Sequence, residues 1–350
     1  MRYENVCLET IAYTLPDEII SSAEIEKRLA PLYTRLRLPE GRLELMTGIH
    51  ERRFWPPGTR PSQKSVETAE KAILTSGVDR RQIGALVHGS VCRDFLEPAT
   101  ACGVHHGLGL PNRCAVYDIS NACLGLLSGV VQTANMIELG QISAAVVVGT
   151  ECGRTLVEST IAHLNAETSL TRQDIKAAFA SLTIGSGSAA IVLCNRELSR
   201  KGNRLLGGVL HAATENCELC QGGQTDEVNA GQPLLMATDS ETLLREGVAA
   251  AQAAFVDFLA EMNWQAADIQ KTFCHQVGHA HRRLLFETLG LDPAIDFSTF
   301  ERLGNTGSAA LPTAVALGME SGHTRPGDRV ALLGIGSGIN VMMLGLEIAA

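Results

Sequence analysis

Apolar residues in this chain gather into short unbroken runs, among them GALVHG (84–89), AVYDI (115–119), AAVVVG (144–149), SAAIVLC (188–194) and VALLGIG (330–336), with little polar alternation inside them. Runs of this length without alternation read as strands covered on both faces. Small-residue helical stretches and glycine turns separate them, so the pattern predicts βαβ-rich layers built on parallel sheets. The run LTIGSGSAAIVLC (182–194) closes a first half, and the polar stretch ELSRKGNRL (197–205) is the hinge to a second. Between strands of the first half lies a charged, helix-prone stretch, 151–181, which reads as an insertion of the kind that shapes a pocket or an oligomer contact.

The pattern occurs twice. GVDRRQIGALVHGS (77–90) is echoed by NWQAADIQKTFCHQ (263–276), with Ile83 matching Ile269 at an offset of 186. Asn121 in DISNACLGLLSG matches Asn305 in ERLGNTGSAALP at an offset of 184, and Gly149 in GQISAAVVVGTE matches Gly334 in GDRVALLGIGSG at 185. A duplicated supersecondary unit fixes architecture better than local propensity does. The expectation is an α/β chain of two stacked halves, 1–200 and 201–350, in a five-layered α/β/α/β/α body.

Composition narrows the function. The 350 residues are 45% apolar and 19% charged, enough for two domain-sized cores, and at 4% aromatic those cores must be built from Ala, Val, Leu and Ile. A formal charge of −9 offers no basic footprint for nucleic acid. The N-terminal stretch lacks the layout of a signal peptide and no apolar run reaches the roughly 18 residues of a membrane span, so a soluble, cytoplasmic protein is expected. Ten cysteines, with Cys194 and Cys274 inside apolar segments, read as reduced thiols. Cys217 and Cys220 have zinc-ligand or redox spacing, but no second such pair accompanies them.

Three residues carry candidate chemistry. Cys123 follows the strand AVYDI at the start of an apolar helix, where the positive end of the helix dipole favours the nucleophilic thiolate. The same spacing also suits a small buried residue beneath a glycine-rich helix. His275 stands at the carboxyl end of its strand, where ligands of α/β sheets bind, and Asn305 lies in the turn GNTGS. Two neutral donors there can stabilise a thioester enolate. Each also has a plain alternative, as a capping histidine or an Asn in a left-handed turn. His279 and His281 invite a metal reading with His275, but the spacing is not that of a zinc site and Arg282 and Arg283 oppose a bound cation, so no metal is expected.

With these residues in hand, the chain resembles the thiolase superfamily, in particular its ketoacyl-ACP synthase III branch, over essentially its whole length. TGIHERR (47–53), SNACLG (120–125), CHQVG (274–278) and LGNTGSAALP (303–312) are similar to four motifs of that branch, in the right order. The resemblance implies that Cys123 takes an acyl group and that His275 and Asn305 form one oxyanion hole. The backbone N–H groups of Cys123 and Ser337 would form a second. It further implies a homodimer and no bound cofactor, with acyl-CoA or acyl-ACP as substrate.

Within the branch the chain looks most like OleA-type enzymes, which join two long-chain acyl-CoA molecules head to head into a β-keto acid for olefin synthesis. The histidine motif is HQVG, and LELM stands where many initiating synthases have Trp and Arg before TGI. VCRDFLEP (91–98) resembles the segment whose glutamate reaches into the partner's site, which would be Glu97 here. A condensation without decarboxylation needs a base for the α-proton of the second thioester, and a desolvated carboxylate suits that task. Without the resemblance, Glu97-Pro98 would read as a helix-start carboxylate. A carrier protein or olefin-pathway enzymes are the further partners implied. Rival readings are a malonyl-dependent 3-oxoacyl-ACP synthase III, a same-fold acyltransferase to oxygen or nitrogen, a non-catalytic scaffold, and a thiol redox or zinc protein built on Cys217 and Cys220.

Overall fold

The computed structural model of the chain describes residues 1–173, 175–223 and 234–350. Its strands are β1 (Val6–Thr14), β2 (Glu18–Ser21), β3 (Glu51–Phe54), β4 (Ile83–Gly89), β5 (Ala115–Ile119), β6 (Ala144–Glu151), β7 (Gly187–Asn195), β8 (Arg204–Ala212), β9 (Cys220–Gly222), β10 (Met236–Thr238), β11 (Lys271–Cys274), β12 (Arg329–Gly336) and β13 (Asn340–Glu347). Nine of them form one sheet in the order β11-β12-β13-β8-β1-β7-β6-β4-β5.

The duplication is visible strand by strand. In the first half β5 and β6 flank β4 in parallel, β7 runs antiparallel to β6, and β1 antiparallel to β7. In the second, β12 lies parallel to β11, β13 antiparallel to β12, and β8 antiparallel to β13, while a lone parallel bridge from Thr272 to Asp296 stands where β5 stands in the first half. The two edges meet through an antiparallel pairing of Cys7 with Arg204.

The sheets are therefore mixed, which corrects the expectation of parallel ones. β7 and β13 are buried along nearly all their length, so their apolar runs report burial on both faces and carry no information on direction. For β13 the reversal is local: Gly336 pairs with Asn340 across a tight turn, and the chain returns beside β12.

Three apolar clusters resolve the five layers. The middle one packs the helices Gly125–Glu138 and Ala310–Glu320 between Ala85, Val87, Val147 and Ile191 on one side and Phe273, Leu332, Met342 and Leu344 on the other. The alternate residues of the same strands face outward. Leu86, Val146 and Val192 meet the helices Pro61–Ser76 and Thr100–Leu108, and Leu333, Val341 and Met343 meet Ser240–Met262 and His279–Leu289. This is the α/β/α/β/α body expected from the repeat.

The stretch 151–181 contributes the helix Arg154–Ala166, whose Val157, Ile161 and Leu164 pack on Ile25, Leu29 and Leu32 from the helices near the N-terminus. Among the described residues no helix is long and apolar enough to cross a membrane.

Candidate active site

Strand ends from both halves open into one cavity of about 1100 Å³ whose wall includes Cys123, His275, Asn305 and Ser337. Cys123 sits in the 3-10 turn Ala122–Leu124 beyond β5, and His275 directly follows β11. Asn305 follows the short helix Phe300–Leu303, and Ser337 lies in the turn between β12 and β13. Arg42 and Lys176 also line this cavity, as do apolar residues such as Leu156, Phe179 and Leu244.

The cysteine turn is held by close backbone packing. A Cβ on Gly89 would lie 2.4 Å from the Gly125 carbonyl oxygen, so β4 and the start of the central helix approach as only two glycines allow. Ala122 takes a φ of +43°, left-handed for a residue with a Cβ, a strained conformation of the kind found at functional sites. Asn121 fixes the turn from both sides: its Oδ1 accepts from Asn340 Nδ2 at 3.2 Å and its Nδ2 donates to Ser128 Oγ at 2.9 Å. The first of these bonds ties Cys123 to the turn that bears Ser337.

The thiol is not the pre-formed thiolate that a helix N-terminus suggested. Burial first, then the charges of Glu151 and Cys220, push Cys123 up to about 12, against which its own backbone N–H pulls only weakly. Desolvation of a charged sulfur outweighs the dipole of one helix end. Cys123 therefore rests as a thiol, and any attack by its sulfur requires that proton to leave.

His275 rests uncharged in the same cavity. Burial, with a smaller contribution from His281, lowers it to about 3, so it is a neutral imidazole at physiological pH. Its backbone N–H donates to the Leu333 carbonyl at 3.0 Å, continuing the β-ladder beyond β11. Gln276 secures the following loop, donating to the Cys274 carbonyl at 2.7 Å and accepting from the Thr299 N–H at 2.9 Å. The TGI segment packs directly on this loop: a Cβ on Gly278 would lie 2.8 Å from the Thr47 carbonyl oxygen, and one on Gly48 would lie 3.0 Å from His279 Nδ1.

His281, also in the cavity wall, is lowered to about 4 by burial. Both imidazoles therefore fold neutral although their ordinary value is 6.5. In the unfolded chain they bind protons that the folded chain refuses, so their stabilising effect is complete above pH 6.5 and is lost as pH falls toward 4 and then 3. Urea unfolding across that window should show a falling stability whose slope is shallower in His281→Gln; an unchanged slope would contradict the buried neutral assignment.

Asn305 is fixed at backbone and side chain. Its N–H donates to the Thr183 carbonyl and its carbonyl accepts from the Gly185 N–H, each at 2.9 Å, while its Oδ1 accepts from the Gly307 N–H at 2.9 Å. The side-chain carbonyl being engaged, the amide NH₂ is the end offered to a ligand. Asn305 and neutral His275 together supply uncharged donors for a developing oxyanion.

Glu97 stands apart from this cavity in its own chain. It is exposed, among the exposed apolar side chains Val91, Phe95 and Leu96. It does not cap the helix that follows: the Thr100 and Ala101 N–H groups donate to Asp118 at 2.8 and 2.9 Å. The helix-start reading of Glu97 is thereby removed.

Cys217 is exposed, whereas Cys220 joins the cavity wall and accepts a hydrogen bond from Thr238. Among the described residues no three potential ligands form a metal cluster. Sequence reasoning missed Glu151, a carboxylate in the cavity wall that is 5% exposed. Its signal was present in AAVVVGTE, a charged residue ending an otherwise apolar strand run.

With this geometry established, residues 59–177 match the family described as Thiolase, N-terminal domain, and residues 259–348 the family described as 3-Oxoacyl-[acyl-carrier-protein (ACP)] synthase III C terminal. A protein of Shewanella oneidensis named acyl-CoA:acyl-CoA alkyltransferase is 43% identical over 350 residues, covering 99% of this chain and 100% of its own. Its namesake in Xanthomonas campestris pv. campestris is 35% identical over 343 residues, 98% of each chain. The solved structure of Xanthomonas campestris OleA with bound lauric acid and lauroyl-CoA superposes with a TM-score of 0.92 at 34% identity, covering 99% of both chains. A cerulenin-bound form of the same protein gives a TM-score of 0.93 at 34% identity over 99% of this chain and 98% of that one. Over its full length, in fold and in sequence, the chain belongs to the thiolase-fold acyl-CoA:acyl-CoA alkyltransferases, the OleA family.

Proposed function

We propose that this enzyme joins two long-chain acyl-CoA molecules by a non-decarboxylative Claisen condensation through an acyl-cysteine intermediate. The observation that carries the reading is the convergence of a buried thiol, a neutral imidazole and an oriented amide in one largely apolar cavity. The lauroyl-CoA held by the related Xanthomonas structure gives the substrate class, and Arg42 and Lys176 offer positive charge to CoA phosphates.

The Cys123 thiol gives its proton to His275 and its sulfur attacks the first thioester carbonyl. The C–S bond to CoA breaks, CoA leaves with the proton, and the acyl chain stays on Cys123. A second acyl-CoA enters, and Glu97 of the partner subunit takes its α-proton. His275 and Asn305 hold the enolate oxygen. The α-carbon attacks the Cys123 thioester, the N–H groups of Cys123 and Ser337 receive the new oxyanion, and the cysteine sulfur is expelled. Water then cleaves the β-keto thioester to a β-keto acid and CoA.

A homodimer follows from this scheme, and the exposed Val91, Phe95 and Leu96 around Glu97 supply an apolar contact for it. No resident cofactor is required. The β-keto acid is a substrate for olefin-pathway enzymes, and a carrier protein is an alternative bearer of the acyl chains.

His275→Ala and Asn305→Ala should each lower product formation by about 10²–10³-fold, the loss typical of one oxyanion donor. Asn305→Ala should still accumulate acyl-Cys123 from the first acyl-CoA, measured by intact-protein mass spectrometry. Full product formation by either variant would remove that residue from the oxyanion hole.

A further inference from the structure

Glu151 ends β6 and is 5% exposed, yet among the described residues it makes no ion pair. Among the described residues its carboxylate is satisfied by neutral donors: Oε1 accepts from the Val91 N–H at 3.2 Å, the Ser308 N–H at 3.2 Å and the Ser308 hydroxyl at 2.6 Å, and Oε2 from the Cys92 N–H at 3.3 Å. Its own carbonyl accepts from Trp55 Nε1 at 3.1 Å. A buried carboxylate held only by neutral groups is expensive, and a merely structural link between these loops could be made by an uncharged side chain.

The donors identify what the carboxylate joins. Val91 and Cys92 begin the loop that leads to Glu97, while Ser308 lies three residues beyond Asn305. Gly307, between them, has a φ of +53°, and a Cβ there would lie 3.1 Å from the Glu151 carboxyl. The turn is pressed against the acid as closely as a glycine permits.

We propose that Glu151 is a positioning residue of the condensation site, clamping the Asn305–Ser308 turn to the Val91–Cys92 loop and setting its carboxylate in the same cavity wall as Cys123. This inference rests on the assignment of Cys123 as the acyl carrier. The charge is felt at the sulfur: after burial, Glu151 is the next cause that raises Cys123, and it acts in the same sense on Cys92 and Cys152. Its effect is to hold the nucleophile as a thiol until substrate and His275 are both in place, which keeps an empty site from reacting with other electrophiles. The same clamp fixes the Asn305 amide for the enolate of the second step.

The test is Glu151→Gln, which keeps the shape and an acceptor for the Ser308 hydroxyl but removes the charge. Iodoacetamide labelling of Cys123 is followed by peptide mass spectrometry against pH in the full-length protein, alongside product formation from acyl-CoA. The alkylation profile should move to lower pH, with labelling at fixed pH faster by about three- to tenfold, a shift of half to one pK unit. Product formation should fall by about tenfold or more through kcat, the misplaced donor costing one pK-sized factor or more. An unmoved alkylation profile with product within twofold of the parent, a bound set by ordinary assay scatter for a neutral change, would overturn the proposal. If the variant does not fold, Ser308→Ala decides by product formation: it keeps the carboxylate but removes one bond of the clamp, so product should fall with an unmoved alkylation profile, and product within twofold of the parent would overturn the proposal. Failure of the parent enzyme to make a condensed product would reject the proposed reaction, while the alkylation profile would still report on Glu151.

Discussion

Cys123→Ala should lose acyl labelling completely and carbon–carbon bond formation by about four orders of magnitude or more, as for other nucleophile deletions in covalent catalysis. The size of the effect follows from the site. Cys152, Cys92 and Cys220 line the same cavity, so neighbouring thiols are available to take over if proximity to substrate were enough. They should not, because only Cys123 combines the strained turn after β5, the tether through Asn121 and a place beside both proposed oxyanion holes. The removed side chain is small and lies in the cavity wall, so thermal stability should change little. Persistent labelling of the variant, mapped to any other cysteine, would reject Cys123 as the carrier.

The second large effect is expected at Glu97, and it divides the reaction. Glu97→Gln should leave acylation of Cys123 intact while lowering condensed product by about 10²–10⁴-fold, the range for loss of a general base. Exposed in its own chain and outside the cavity lining among the described residues, this carboxylate acts, in the proposed scheme, where a second copy buries it. Desolvation there would strengthen it as a base for the α-carbon. Subunit mixing makes the inference specific. A mixture of Cys123→Ala and Glu97→Gln chains that exchange subunits should regain activity that neither shows alone, because one site of the mixed dimer then has both an intact cysteine and an intact partner glutamate. No regain despite demonstrated exchange would place the α-proton base elsewhere.

Much of this architecture was legible because duplication leaves a long-range record in a local pattern. The near-constant offset linking Ile83 to Ile269, Asn121 to Asn305 and Gly149 to Gly334 paired the halves, and strand-end positions then brought Cys123, His275 and Asn305 to one opening. The directions of β7 and β13 were not legible. Both strands are apolar on both faces, and periodicity is silent on which way such a strand runs.

The ionisation of Cys123 was misread for a related reason. Helix position is local, but the burial that keeps the thiol protonated arises only when the two halves close over it. Glu151 escaped notice because its donors lie at positions 91, 92 and 308, and no local spacing announces such a meeting. In the proposed scheme Glu97 acts on a second chain, which no pattern within one chain records.

The most direct test of the central claim is to give the purified enzyme a long-chain acyl-CoA alone, without malonyl-CoA or carrier protein, and to analyse the extracted lipids by mass spectrometry. The account predicts a β-keto acid, or the ketone formed from it by loss of CO₂, with its carbons drawn from two acyl chains. No such product from acyl-CoA alone, with condensation appearing only when malonyl-ACP is added, would contradict it and make the enzyme a malonyl-dependent synthase with no need of Glu97.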